Sequence, residues 1–183
     1  MNRFRISSDD TVLLIIDIQD RLAAVMDERE TVVRNTTHLI ELSKLFDIPL
    51  VLTEQYPKGL GPTVSEIRDA LKEYQPIEKL TFSCCGTEGF LDAIKKTNRK
   101  KVLVTGMETH ICVLQTCLDL LDEGLEVYLI ADALTSRRPY DKSIALDMLR
   151  EAGCIVTTTE AVLFQVLKKA GTEEFKIISR RIK

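Results

Sequence analysis

The residues best suited to chemistry concentrate in Lys101 to Gln115, KVLVTGMETHICVLQ. Val102, Leu103 and Val104 form an apolar run of the kind a buried parallel strand uses, and Gly106 interrupts it. From Cys112 to Leu121 the apolar residues Val113, Cys117, Leu118, Leu120 and Leu121 recur at helical spacing. The segment therefore reads as strand, tight turn and helix, with Cys112 in the helix's first turn. Orphan backbone N–H groups and the positive end of the helix dipole favour a thiolate there, which makes Cys112 a candidate nucleophile. The competing reading is that a free cysteine only fills a small apolar gap.

Two charged residues give the thiol possible partners. Asp17 closes the apolar run TVLLIID, and Lys79 lies in QPIEKL. Acid, cation and thiol at the ends of separate strands would place a base, a charge and a nucleophile in one crevice. Lys79 would lower the thiol's pKa, Asp17 would accept its proton or orient it, and the backbone N–H groups of Glu108 and Cys112 would hold an oxyanion. Taken singly, Asp17 could cap the next turn and Lys79 could be a solvated charge. His110 is a poor dyad partner for Cys112, because residues two apart on a helix point to different faces. His38, within a helical stretch, reads as a surface or packing residue.

The elements that must position these groups alternate along the chain. Strands are expected at Thr11–Asp17, Leu50–Thr53, Gln75–Leu80, Lys100–Thr105, Glu126–Ala131 (ending at Asp132) and Cys154–Thr158. Between them lie a helical turn at Gln19–Met26 and helices at Glu30–Phe46, Ser65–Tyr74 capped by Ser65, Gly86–Asn98 capped by Thr87, Cys112–Leu121 ended by Gly124, and Asp141–Ala152. A last helix is expected at Thr159–Ala170, before a charged tail from Glu173 to Lys183. Strands alternating with helices imply right-handed crossovers and a parallel sheet covered on both faces, a three-layer doubly wound α/β fold. With a Rossmann-like order 3-2-1-4-5-6, the first and fourth strands meet at the switch point where such sheets bind ligands. Asp17 and Cys112 end those two strands, and Lys79 ends the third, about 10 Å from the first at the usual strand spacing of ~4.8 Å.

At 183 residues the chain makes one domain, residues 1–183, and a net charge of -3 gives no electrostatic case for nucleic acid or anionic membranes. No apolar run is long enough to span a bilayer and no secretory signal is visible at the start, so a cytoplasmic, soluble protein is expected. Five cysteines, none in a CxxC pair, argue against a disulfide framework or a zinc knuckle.

IIDIQD around Asp17, EKLTFS around Lys79 and GMETHICV around Cys112 occur in the order and spacing of a known pattern. On these motifs the chain resembles the isochorismatase-like cysteine hydrolases along nearly its whole length. The resemblance implies a catalytic triad of Asp17, Lys79 and Cys112, a non-proline cis peptide between Met107 and Glu108, and assembly as dimers or larger oligomers. Nicotinamidases of this fold carry a histidine-containing metal site after the second strand, where this chain has TEQYPKGLG, and true isochorismatases lack the cysteine that Cys112 supplies. The wording TEQYPKGLGPTV with GMETHICVLQT looks most like the isochorismatase domain-containing hydrolases of undetermined substrate.

The expectation is a cysteine hydrolase, free of metal and cofactor, that cleaves a carbon–nitrogen bond of a small amide through a covalent thioester. The alternative is a non-catalytic or redox-responsive binding protein in which Cys112 is oxidised instead. Candidate substrate-binding residues, on segments leaving strand ends, are Gln19, Glu54, Gln55, Tyr56 and Phe82. Among the cysteines Cys112 should alkylate fastest near neutral pH, with Cys84 and Cys85 as competitors. Ile177, Ile178 and Ile182 in the tail would cover a neighbouring subunit, giving a homo-oligomer.

Overall fold

The computed structural model describes residues 2–183. Along the chain run β1 (Thr11–Ile16), α1 (Asp20–Ala23), α2 (Arg29–Leu45), β2 (Leu50–Gln55), α3 (Pro57–Leu60), α4 (Ser65–Ala70), β3 (Ile77–Lys79) and α5 (Phe90–Lys96). They continue as β4 (Lys101–Met107), α6 (Leu114–Asp122), β5 (Glu126–Thr135), α7 (Pro139–Ala152), β6 (Ile155–Thr157), α8 (Thr159–Leu167) and α9 (Glu173–Arg181). The strands form one six-stranded sheet of order β3-β2-β1-β4-β5-β6, parallel throughout. This is the doubly wound order expected from the sequence.

Every residue of β1 and β4 is buried, because helices cover both faces of the sheet. The pleat sends alternate side chains into two separate cores. Leu13, Ile15, Leu52, Leu103, Tyr128 and Ile130 pack with Leu39, Leu42, Val162, Leu163 and Ile178, under α2, α8 and α9. Val12, Leu14, Ile16, Val102, Val104 and Leu129 pack with Phe90, Ile94, Cys117, Leu120 and Leu149, under α5, α6 and α7. Each large apolar side chain so buried stabilises the fold by about 1.5–3 kcal/mol.

Several boundaries differ from the periodicity reading, each for a local reason. Helix α4 stops at Ala70 and is preceded by Val64 in the cap position, while the Ser65 hydroxyl turns to Glu66 and caps nothing. Cys84–Gly86 is a 3₁₀ turn capped by Ser83, so α5 starts only at Phe90 after Gly89, and Thr87 caps nothing. Strand β5 continues through Asp132 to Thr135, because its register slips against β4: Val104 pairs with Leu129 but Gly106 with Leu134. Asp132, in the slipped stretch, accepts hydrogen bonds from the Thr159 N–H (2.7 Å) and hydroxyl (2.9 Å), tying β5 to the start of α8. The tail is a helix, α9, with Ile178 buried and Ile182 packed on the chain's own core. The isoleucines therefore cover this subunit, and only Ile177 faces outward, 38% exposed.

Gly106 makes the closest approach in the sheet. It pairs with Ile16 across the β1–β4 seam and has φ +135, and a Cβ built on it would lie 2.1 Å from the Ile16 carbonyl oxygen. Gly106→Ala should therefore destabilise the fold by on the order of 3 kcal/mol or more, from backbone clash and strain together. The shift of the urea midpoint measures it, and a midpoint equal to wild type would show that the seam tolerates a side chain.

Candidate active site

The site grows from the ends of adjacent strands. Beyond Ile16 the chain turns sharply at Asp17, φ 53, a left-handed conformation that aspartate tolerates better than most residues. Its carboxylate is fully buried: Oδ2 lies 2.7 Å from Lys79 Nζ, and Oδ1 accepts from the Thr53 hydroxyl at 2.7 Å. Lys79 ends β3, paired with Gln55 on β2, so its side chain crosses the end of β2 to reach Asp17. Its ammonium also donates to Gln55 Oε1 (2.7 Å) and to the carbonyls of Phe82 (3.1 Å) and Thr81 (3.3 Å).

The thiol arrives from the other side of the seam. After β4 the Met107–Glu108 peptide is cis, and Thr109–Val113 winds as a π-helical turn in which the Val113 N–H reaches the Glu108 carbonyl at 3.3 Å. Helix α6 then starts at Leu114, two residues later than the spacing places it. Cys112 Sγ makes a long contact, 3.9 Å, with Gln55 Oε1, the same oxygen that Lys79 holds. Asp17, Lys79 and Cys112 are thus brought together around Gln55.

Electrostatics correct the expected resting thiolate. Burial pushes the Cys112 thiol up to about 12, and the negative charge of Asp17 adds to the rise, while Lys79 pulls the other way and is outweighed. Cys112 is 6% exposed, so the π-turn sets it in a dry pocket where desolvation overrides the helix dipole. Burial also raises Asp17 against the pull of Lys79, which makes it a better base than an ordinary carboxylate. Burial alone would lower Lys79, but the charge of Asp17, with Cys84 and Cys112, outweighs it and holds the ammonium above its usual value.

The remaining candidates separate clearly. Gln19 is buried and fully used, donating to the Gln55 carbonyl (3.0 Å) and Gly61 carbonyl (2.7 Å) and accepting from the Gln55 N–H (2.7 Å). Glu54 is likewise committed, accepting from the Thr63 N–H (2.6 Å), the Thr63 hydroxyl (2.7 Å) and the Tyr74 hydroxyl. In this structure the two side chains are internal ties of the loop after β2, with all three bonds of Glu54 on one carboxylate oxygen. Tyr56 and Phe82 are exposed, at 51% and 55%. His110 Nδ1 sits 2.9 Å from the Ser136 hydroxyl, away from Cys112, and His38 is packed into α2. Among the described residues no group of three or more His, Cys, Asp or Glu side chains is placed to hold a metal ion.

Residues that spacing did not flag complete the site. Thr53 is a polar residue inside a buried strand, which was a legible hint; its hydroxyl binds Asp17 and also accepts from Cys84 Sγ at 3.8 Å. Thr116 and Asp119, on the Cys112 helix, bind the Cys84 N–H (2.9 Å) and the Ser83 hydroxyl. These bonds fasten the segment after Lys79 to the helix of the thiol.

The fold agrees with the comparisons. A family model described as the isochorismatase domain matches residues 11–161. The secreted isochorismatase effector Isc1 of Phytophthora sojae is 39% identical, over 98% of this chain and 87% of that protein. Isochorismatase domain-containing protein 2 of Bos taurus is 38% identical, over 98% and 86%. Among solved structures, the MAR1 ribonuclease of Caenorhabditis elegans superposes with TM-score 0.90 at 35% identity, covering 97% of this chain and 92% of that one. The YcaC gene product of Escherichia coli, an octameric hydrolase of unknown specificity, superposes with TM-score 0.91 at 23% identity, covering 97% and 90%.

The resting charges fix the sign of two labelling experiments. With the thiol up near 12, iodoacetamide should label Cys112 slowly at neutral pH and faster as pH rises. Lys79→Met removes the charge that lowers the thiol's pKa and should slow labelling further, whereas Asp17→Asn removes the charge that raises it and should speed labelling. Peptide mass spectrometry after brief alkylation reads both, and the same direction of change in the two variants would refute the electrostatic account.

Proposed function

The chain belongs to the isochorismatase family, and from that premise we propose that it is a cysteine hydrolase cleaving a carbon–nitrogen bond of a small amide. The observation that carries this reading is the buried Asp17–Lys79 ion pair meeting the Cys112 thiol around Gln55 at the switch point of the sheet. A thiol this strongly raised is not a standing nucleophile, so its proton must leave as it attacks. Asp17, raised by burial and charged by Lys79, is the base placed to take it.

As Cys112 Sγ bonds to the amide carbon, its proton passes to Asp17 and the carbonyl electron pair moves to oxygen. The backbone N–H groups of Glu108 and Cys112 hold that oxyanion. When the tetrahedral species collapses, the C–N bond breaks and Asp17 gives its proton to the leaving amine. A water deprotonated by Asp17 then attacks the thioester carbon. The acid leaves, and Cys112 regains the proton. Lys79 keeps its charge throughout and holds Asp17 in place.

Tyr56 and Phe82 are proposed as walls for the substrate, with Gln55 as the polar contact between them and the triad. A cleft of about 330 Å³ bordered by Tyr56, Pro57, Lys58, Glu78, Lys79 and Leu80 lies beside the proposed Tyr56 wall, and neither Cys112 nor Asp17 lines it. One relative carries the name ribonuclease, but a formal charge of -3 offers little to a phosphate backbone. The redox-responsive alternative needs an accessible, low-pKa thiol, and Cys112 is buried with a raised pKa. A cytoplasmic home is proposed from the sequence; one relative is named a secreted effector, and fractionation of the source cells is the direct check.

Wild type should release ammonia or amine from members of a small-amide panel, and Cys112→Ala should abolish this. Exhaustive chelation should leave the rate unchanged. Intact-mass spectra at short times should show the acyl adduct on Cys112. Turnover that survives Cys112→Ala, or that chelation removes and metal restores, would overturn the mechanism.

The assembly is proposed to be a homo-oligomer, as in the octameric neighbour. With the tail folded on its own subunit, the surface available for this is the stripe Tyr140, Ile144 and Met148 on α7, exposed at 75%, 42% and 51%. Light scattering at micromolar concentration should give a multiple of 20.7 kDa, and Ile144→Glu should reduce it. A wild-type monomer would remove the proposal.

A further inference from the structure

The turn that carries Cys112 is bound along its side to the end of β5. Glu108, with its side chain 5% exposed, accepts from the Arg137 main-chain N–H at 2.9 Å and from Arg137 Nε at 3.1 Å to each oxygen. The Thr109 hydroxyl donates to the Thr135 carbonyl at 3.0 Å, and His110 Nδ1 meets the Ser136 hydroxyl at 2.9 Å. Glu28 anchors the far side, accepting from the Thr135 hydroxyl (3.0 Å) and from Lys142 Nζ (2.8 Å).

A carboxylate as buried as that of Glu108 requires hydrogen-bonding partners for its oxygens. Arg137 supplies donors from two places on one residue, its backbone and its guanidinium, so the plane of the carboxylate is fixed and not merely its charge. The Glu108 carbonyl in turn accepts from the Ile111 N–H (3.0 Å) and the Val113 N–H (3.3 Å). A shift of Glu108 therefore moves the amides on both sides of Cys112. The Arg137 side chain is 57% exposed, so solvent screens the ion pair and it adds little to global stability. Its effect should appear as geometry, in the rate.

We propose that Arg137 is a positioning residue: by clamping the Glu108 carboxylate it fixes the backbone of the nucleophile turn, and with it the amides that hold the oxyanion. This rests on the cysteine-hydrolase reading, and the test is built to fail separately from it.

Arg137→Ala should lower kcat about tenfold or more, with KM within about twofold and the melting temperature nearly unmoved. Guanidinium at sub-denaturing concentration should restore part of the rate, and Arg137→Lys should fall between. Glu108→Gln should lose a similar factor, and the double variant no more than either single one. An unchanged kcat, a rise in KM alone, additive losses, or rate losses that track falling melting temperature across the variants would each overturn the proposal. If wild type hydrolyses no amide, the hydrolase reading fails, and the same variants are read by iodoacetamide labelling of Cys112 with Cys85 as internal reference. A change in the Cys112:Cys85 ratio of about threefold or more supports the clamp, and an unchanged ratio overturns it.

Discussion

The Asp17–Lys79 ion pair is the constraint from which the rest of the site follows. Two charges with fully buried side chains at 2.7 Å are tolerable only with near-complete hydrogen bonding, since removing either partner would strand the other in a dry interior. Thr53, Gln55 and the carbonyls of Thr81 and Phe82 provide that bonding. Each of these residues lies at or just beyond the end of β2 or β3. A parallel sheet delivers this without special devices, because all its strands end on the same side and its neighbours are fixed by ladder bonds.

The pair also explains why the thiol rests protonated. The burial that keeps the ion pair from water also denies water to a thiolate, and the negative charge of Asp17 adds to the cost. Lys79 moderates this without reversing it. Burial and the charge of Asp17 together therefore outweigh Lys79 and stand against a reactive thiol at rest.

Much of this was legible in the chain. The strand order and both cores follow from the apolar runs, and so do the positions of Asp17, Lys79 and Cys112 at neighbouring strand ends. What stayed hidden depends on tertiary context. The dipole argument for Cys112 reads one helix end in isolation, and it cannot weigh the desolvation that three packed layers impose. The bonds that Gln19 and Glu54 make to the loop after β2 depend on a loop path that no periodicity encodes. Ile178 and Ile182 were apolar residues without an evident partner until α9 folded back against α2 and α8. Arg137 carries no pattern signal, since it lies beyond the end of β5 and only the folded chain brings it to Glu108.

The bonds from Ser83 and Cys84 to Asp119 and Thr116 close a mechanical circuit. Starting at the lysine, the chain passes to α6 by these links, along α6 to the thiol, down β4, across to β1 and Asp17, and back to the lysine through the ion pair. Asp17, Lys79 and Cys112 thus sit on one closed circuit of bonds that includes the turns carrying Asp17 and Cys112. Motion that separates lysine from thiol has to strain the ion pair or the bonds of Ser83 and Cys84 to α6, so these contacts hold the three side chains in register.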